Sequence, residues 1–168
     1  ICWLYFDKQD SSANVFSRET VAELTDLITQ IENEPISGLV IGSAKETGFI
    51  AGADITEFQG ISDLEEVTAT AKLGQRLCQQ VADLHCPTVA ALNGFTLGGG
   101  LELALACDYR VAIDSYDRCI GLPEVQLGIH PGWGGTVRAV ELLGAPIALD
   151  LMLTGRSLSP VEAERIGL

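Results

Sequence analysis

Positive charge is scarce in this 168-residue chain. Ten Lys and Arg residues stand against 23 Asp and Glu, which leaves a formal net charge of −13 at pH 7. No basic cluster interrupts this pattern, so a role in binding the phosphate backbone of a nucleic acid is excluded. A small polyanion remains compatible with the chain, because backbone N–H groups and helix N-termini bind phosphate or an oxyanion without basic side chains.

Metal-binding and redox motifs are missing as well. The two histidines, His85 and His130, belong to no cluster of ligands, and the five cysteines contain no C-x-x-C pair, so we expect no metal site. Each cysteine lies in an apolar stretch, which predicts reduced, mostly buried thiols and a cytoplasmic location. No apolar run reaches the roughly 18 residues that span a bilayer, and we recognise no signal peptide.

Nucleotide-binding sequence motifs are also missing. No G-x-x-x-x-G-K-[ST] motif occurs, and the segment 132–137 lacks the third glycine of a dinucleotide motif. There is no internal repeat, low-complexity tract or linker. The chain opens on Ile1 without an initiator Met and ends abruptly at Leu168, so we expect residues 1–168 to be one domain core within a longer protein.

Strand and helix patterns alternate along the chain, which predicts an α/β fold. Short apolar runs predict strands at 1–7, 38–42, 88–92 and 109–113, of which those at 38–42 and 88–92 are expected to be buried. Apolar residues at helical spacing predict one helix from the N-cap Ser17 to the region of Pro35, with Leu27 on its buried face. A second helix is predicted from Leu64 to Leu84, with Leu64 and Val67 on its buried face, and a short one at 101–107. The glycine-rich segments at 43–62 and around 121–135 are expected to be loops, and short helices close the chain.

A glycine triplet, Gly98-Gly99-Gly100, enters the short helix. Three glycines allow close approach of a ligand to the backbone and leave N–H groups free for an anion, although a tight turn is the simpler alternative.

Glu102 follows in an apolar helix, where an unpaired carboxylate is costly and therefore needs a partner or a purpose. Its simpler interpretation is a first-turn Glu stabilised by the helix dipole.

A second carboxylate, Glu124, follows the rigid turn Gly121-Leu122-Pro123. It is either a surface glutamate or a partner of Glu102 in acid/base chemistry, because burial and proximity separate the pKa values of two carboxyl groups. The small residues Ala51-Gly52-Ala53 could admit a ligand against bare backbone. An N–H from this loop would complete a two-donor oxyanion hole.

Together these segments resemble the enoyl-CoA hydratase/isomerase (crotonase) family over essentially the whole chain. The matching stretches keep the family's order and spacing: 49–55, 93–104, 107–108, 121–128 and 131–136. The segments 3–7, 12–15 and 128–132 are most similar to the N-terminal hydratase domain of the multifunctional fatty-acid oxidation complex alpha subunit. The resemblance implies the crotonase spiral of repeated ββα units, truncated at its C-terminus, with strands in two nearly perpendicular sheets.

The resemblance also implies roles for individual residues. The oxyanion-hole amides fall on Ala53 and Gly99. The residue that activates water corresponds to Glu102, and the residue that transfers the α-proton corresponds to Glu124. Further substrate-binding positions fall on Ala51, Asp54, Ile55, Leu97, Gly98, Pro123 and Gly132. The chain differs from many family members at two places. Thr47 and Thr56 stand where those members carry basic residues near the CoA phosphates, so Lys45 is the nearest cation left. Trp133 replaces a different or smaller residue and is expected to narrow the acyl pocket.

The implied reaction is reversible syn-hydration of 2-enoyl-CoA in fatty-acid β-oxidation, with Δ3/Δ2 isomerisation at the same site. No cofactor is implied, since the coenzyme A thioester is the substrate. Alternatives are another crotonase reaction (isomerase-only, thioester hydrolase or decarboxylase) and a non-catalytic CoA-binding module. For the full-length protein we expect an oligomer or complex subunit, with a thiolase beta subunit as a partner and a dehydrogenase part after Leu168. The isolated 168-residue piece is expected to show little activity.

Overall fold

The computed structural model describes residues 1–46, 48–58, 63–115 and 117–168. Its first sheet contains four parallel strands in the order β1 (Cys2–Phe6), β2 (Leu39–Ser43), β4 (Thr88–Leu92) and β6 (Tyr109–Ala112). All four strands predicted from apolar runs are thereby confirmed. Alternate side chains point into the core, so Leu4, Ile41 and Ala90 are buried while Trp3 and Val111 are exposed.

The second sheet contains strands that the sequence did not reveal. Its order is β3 (Gly48–Ile50), β5 (Phe95–Leu97), β7 (Ile120–Gly121) and β8 (Ser157–Leu158), parallel except for the antiparallel pair β7 and β8. The prediction of loops at 43–62 and around 121–135 is therefore wrong for β3 and for Gly121. Strands of two or three residues are too short to show a period of two. Residues 47 and 59–62 of the first predicted loop lie outside the described part of the chain.

Helices cover the sheets and complete the α/β fold predicted from the sequence. They are α1 (Arg18–Glu32), α2 (Leu64–Ala82), α3 (Gly99–Ala106), α4 (Gly135–Leu143), α5 (Ala145–Thr154) and α6 (Pro160–Ile166). Ser17 caps α1 as predicted, because its hydroxyl accepts the N–H of Thr20. Among the described residues, no helix is both long enough and apolar enough to cross a membrane.

Two helix faces differ from the sequence prediction. Leu27 of α1 is more than one-third exposed, and the first turn of α2 projects Leu64 and Val67 into solvent. The buried part of α2 begins at Gly74, where the helix crosses α3 and α1. Helical spacing identified the correct apolar face of α2. It could not show that other elements cover only the C-terminal part of that face.

Helix α3 lies at the centre of the molecule and is buried along its whole length. It begins two residues before the predicted 101–107 segment, since Gly99 and Gly100 form its first turn. A Cβ added to Gly100 would lie only 2.4 Å from the carbonyl oxygen of Ile50 in β3. The absence of a side chain at Gly100 therefore allows α3 to pack directly on the second sheet.

We predict that Gly100→Ala lowers the free energy of unfolding by about 2–3 kcal/mol, because the added methyl group meets rigid backbone. Urea denaturation of the chain measures this change. Gly48→Ala is the matched control, since its added Cβ would have no neighbour closer than 3.6 Å. The control should change the unfolding free energy by less than about 1 kcal/mol, and equal effects of the two substitutions would contradict the packing argument.

Candidate active site

The Glu102 carboxylate is buried at the first turn of α3, with 2% of the residue exposed. Its Oε1 accepts two backbone N–H groups from a facing loop, at 2.7 Å from Trp133 N and 2.8 Å from Gly135 N. A Cβ on Gly135 would lie 2.9 Å from the same oxygen, so only glycine allows this approach. Glu102 lies in the first helical turn, as the simpler interpretation assumes, and it also has the partners that a buried carboxylate requires.

Glu124 is buried as well, so the alternative of a surface turn glutamate is wrong. It opens a short 3-10 helix, Glu124–Leu127, directly after β7 and Pro123. Its Oε1 lies over the backbone of Gly98, where an added Cβ would stand 3.0 Å away. Its Oε2 is buried and finds no hydrogen-bond partner among the described residues. One oxygen of this carboxyl group is thus available to a ligand.

The backbone around Gly98 contacts the turn at Gly52. Both glycines have positive φ, and a Cβ on Gly98 would lie 3.8 Å from the Cα of Gly52. The segment after Gly52 is held by Phe16, which donates its N–H to the Gly52 carbonyl and accepts the N–H of Asp54. We find no acceptor within the described part of the chain for the N–H of Ala53 or of Gly99. Two unpaired donors therefore flank the Gly52–Gly98 contact, beside the Glu124 carboxyl group.

The two carboxyl groups lie in different electrostatic environments. The pKa of Glu124 is raised to about 7, mainly by burial and in part by the nearby Glu102 charge, whereas its own backbone amide and His130 oppose the shift. Burial also raises the pKa of Glu102, but the backbone N–H groups of residues 132–135 and the charge of Arg138 oppose that change. Because backbone donors favour the charged form of Glu102, whereas Glu124 Oε2 has no partner among the described residues, Glu102 ionises first and Glu124 stays protonated up to about pH 7.

Several predicted binding residues lie next to this centre in the chain. Ala51 and Ile55 are exposed, whereas Leu97, Pro123 and Gly132 are half-buried, and all five adjoin residues of the site in the chain. The prediction for these positions stays a prediction, because no ligand is present to identify their contacts.

The polar residues expected near the phosphates are already paired. Asp54 accepts the Thr56 hydroxyl at 2.6 Å, which lowers the pKa of Asp54, and it pairs with Lys8 at 3.4 Å. Lys45, the cation predicted to lie nearest the phosphates, contacts the Asp7 carboxylate at 2.7 Å and the Lys8 carbonyl at 2.6 Å. Its charge is therefore largely neutralised within the protein. Thr47 lies outside the described residues.

Comparison with known proteins assigns the chain to a family. The family described as enoyl-CoA hydratase/isomerase matches residues 2–168. The chain belongs to the enoyl-CoA hydratase/isomerase family. Its structure superposes on the 1.8 Å crystal structure of an enoyl-CoA hydratase from Bacillus anthracis with a TM-score of 0.90 and 37% identity, over 98% of this chain and 63% of that one. The fold is therefore the crotonase fold that the resemblance implies.

Two curated relatives are fatty acid oxidation complex alpha subunits. The one from Vibrio campbellii is 44% identical over 169 residues, and the one from Aliivibrio fischeri is 45% identical over 170 residues. Both alignments cover 100% of this chain but only 24% and 25% of the relatives. The chain thus spans about a quarter of the length of the curated relatives that it matches, which confirms the predicted similarity to the alpha subunit.

Sequence reasoning did not predict the contacts that two residues, Asn14 and Trp133, make in the folded chain. Asn14 is buried, and its amide donates to the carbonyls of Phe6 and Phe49 and to the Ser43 hydroxyl, which joins β1, β2 and β3. Trp133 packs its indole against Phe16, with ring centroids 4.8 Å apart. No periodicity marks such residues, and a lone Asn in a polar turn gave no signal beyond its polarity.

The cysteines are free thiols, and all except the half-buried Cys2 are buried, which confirms the prediction of mostly buried cysteines. Burial raises the pKa of Cys78 and Cys107 to about 12, so these thiols are protonated and unreactive at neutral pH. Within the described residues, no three His, Cys, Asp or Glu side chains come together as a metal-binding group.

Removing the Glu124 charge should stabilise the fold at alkaline pH. The pKa of this residue is about 7 in the folded chain and near 4.5 in the unfolded chain, so the folded chain binds more protons between these values. Protonated Glu124 contributes stability that is fully present below pH 4.5. This stability is lost as the pH rises through 7, because the buried carboxyl group must then ionise. Glu124→Gln should therefore raise the unfolding free energy at about pH 8 by on the order of 3 kcal/mol, with little change at about pH 4.

Urea unfolding at both pH values measures the effect, and Glu23→Gln, on the exposed face of α1, is the control. A stability gain for Glu124→Gln that is the same at both pH values would show that ionisation of this residue is not the cause.

Proposed function

We propose that the chain catalyses the reversible syn-hydration of 2-enoyl-CoA thioesters in fatty-acid β-oxidation. The observation that carries this proposal is the placement of two buried carboxyl groups with different hydrogen-bond surroundings, Glu102 and Glu124, beside two backbone N–H groups that have no acceptor among the described residues. Hydration of a conjugated thioester needs a base for water, an acid for the α-carbon and donors for the developing enolate oxygen. The chain supplies each of these groups.

In the proposed mechanism, the thioester carbonyl oxygen accepts hydrogen bonds from the N–H groups of Ala53 and Gly99. The Gly99 donor lies at the N-terminus of α3, where the helix dipole favours negative charge. These donors polarise the conjugated double bond and stabilise the enolate that forms when oxygen attacks the β-carbon. A donor of this kind typically contributes a factor of about 10²–10³ to the rate.

Glu102, which is ionised, accepts a proton from the water that attacks the β-carbon. Protonated Glu124 then delivers its proton to the α-carbon through Oε2, the oxygen that has no partner among the described residues. Water adds across one face of the double bond because both carboxyl groups approach the substrate from the same side. The proton on Glu102 returns to Glu124 before the next turnover, so the pair is restored and no cofactor is consumed.

Isomerisation of a 3-enoyl-CoA to a 2-enoyl-CoA at the same site is the second candidate activity. The free Oε2 of Glu124 supports it, because moving a proton between the α- and γ-carbons needs one such carboxyl group and the oxyanion donors, but no water. A panel of 2-enoyl-, 3-enoyl- and saturated acyl-CoA thioesters separates hydration from isomerisation and from thioester hydrolysis.

The curated relatives are subunits of a fatty acid oxidation complex, and we propose the same setting for this chain. A thiolase beta subunit is the proposed partner, and the cytoplasm is the proposed location. The free cysteines support a reducing compartment. Copurification of the complete natural chain with a thiolase activity would support the partnership.

We predict that Glu124→Gln and Glu102→Gln each lower crotonyl-CoA hydration by about 10²–10⁴-fold, because each removes a group that transfers a proton. The assay follows loss of absorbance of the conjugated thioester, with the complete natural chain that contains these 168 residues. Glu141→Gln, on the exposed side of α4, is the matched control and should leave turnover unchanged. Undiminished turnover by Glu124→Gln would contradict the proposed function.

A further inference from the structure

One side of helix α2 contacts the loop that follows Pro131, here called the 132–135 loop. The Gln75 amide donates to the carbonyl oxygen of Gly132 at 2.8 Å. The neighbouring Gly74 has no side chain, and the Trp133 indole occupies the space where one would be. A Cβ on Gly74 would lie 2.0 Å from Cε2 of that indole. The position of the loop therefore depends on a hydrogen bond and on a close steric contact with α2.

The same loop supplies both described N–H donors to Oε1 of Glu102, at 2.7 and 2.8 Å. There is little free space on either side of this contact. On one side, the Gly135 backbone is close enough that a Cβ would collide with Oε1. On the other side, Trp133 Cε3 would stand 3.3 Å from a Cβ on Gly99. A shift of the loop by about 1 Å would therefore lengthen both hydrogen bonds beyond the normal range.

Arg138 of α4 makes a second connection between α2 and the loop. Its guanidinium donates to the Trp133 carbonyl at 3.3 Å and to the side-chain carbonyl of Gln79 on α2 at 3.1 Å. Three consecutive features of the loop, namely the Gly132 carbonyl, the Trp133 indole and the Trp133 carbonyl, are thus fixed against α2 directly or through Arg138. None of these contacts involves the carboxyl group of Glu124.

We propose that helix α2 is a positioning element for Glu102, in which Gly74 and Gln75 hold the 132–135 loop so that its N–H groups point at the carboxylate. Gly74, Gln75 and Trp133 are positioning residues, because they act through Glu102 and not on the reacting atoms. The inference rests on the proposed function, since it assigns these residues to the hydration step. It predicts that disturbing α2 impairs the reaction of water and leaves proton transfer by Glu124 intact.

The central test is Gly74→Ala in the complete natural chain. The added methyl group displaces the indole and the loop, so kcat for crotonyl-CoA hydration should fall by about 10–100-fold, while KM changes by less than about threefold. The acid limb of the pH–rate profile should move to higher pH, because Glu102 loses the N–H donors that favour its charged form.

A parallel measurement separates positioning from a general loss of structure. Exchange of the α-protons of butyryl-CoA with deuterated solvent requires Glu124 and the oxyanion donors but no water addition. Under the proposal, Gly74→Ala retains this exchange within about threefold of the wild-type rate. Equal losses of hydration and exchange would overturn the positioning role, because they indicate damage to the whole site.

Two further variants keep the inference testable if Gly74→Ala folds poorly. Gln75→Ala removes one exposed hydrogen bond and should lower hydration by about 3–10-fold without affecting exchange. Adding Trp133→Phe to Gly74→Ala makes room for the methyl group and should recover part of the lost kcat. Gln30→Ala, an exposed glutamine on α1, is the control for the glutamine substitution.

The outcomes distinguish this inference from the proposed function. An active wild-type protein with unchanged hydration in Gly74→Ala and Gln75→Ala would overturn only the role of α2. Absence of hydration by the wild-type protein would overturn the proposed function itself, and the positioning role with it. Selective loss of hydration, with recovery in the double variant, supports both.

Discussion

The contact between the first turn of α3 and the backbone of the second sheet is the constraint on which the rest of the site depends. It requires glycine at position 100, which lies against the Ile50 carbonyl, and at position 98, which lies against Gly52 and the Glu124 carboxyl group. Because no side chains intervene, two unpaired backbone donors and two carboxyl groups lie within one small region. A bulkier first turn would separate the sheet from the helix and the donors from the acids.

Burial alone does not make the two glutamates a working pair, since it raises the pKa of both. The difference comes from hydrogen-bond donors. Glu102 accepts two backbone N–H groups, whereas one oxygen of Glu124 has no partner in the described part of the chain. Backbone donors are suited to this task, because their direction is fixed by the fold and they add no titratable group. The protonation states on which the proposed mechanism depends therefore follow from the path of the chain between residues 132 and 135.

Much of the first sheet could be predicted because three of its strands, β1, β2 and β4, are largely apolar runs between breakers. The second sheet could not, since β7 and β8 have two residues each and their pairing depends on distant segments. Glu102 and Glu124 were identified from their apolar settings and family spacing, but Glu102 alone also fitted a first-turn position stabilised by the helix dipole, and Glu124 alone fitted a surface turn. Gln75 gave no local signal, because its contact with Gly132 spans 57 positions in the chain, and the contact between Trp133 and Gly74 is equally remote in sequence.

A crystal structure of the complete natural chain with a non-reacting enoyl-CoA analogue would show whether the two carboxyl groups and the two amides act on one substrate. We expect the thioester oxygen to lie about 2.7–3.1 Å from the N atoms of Ala53 and Gly99. We also expect a water molecule on Glu102 and the α-carbon beside Oε2 of Glu124. A thioester oxygen bound elsewhere, with both amides still free, would contradict the proposed mechanism.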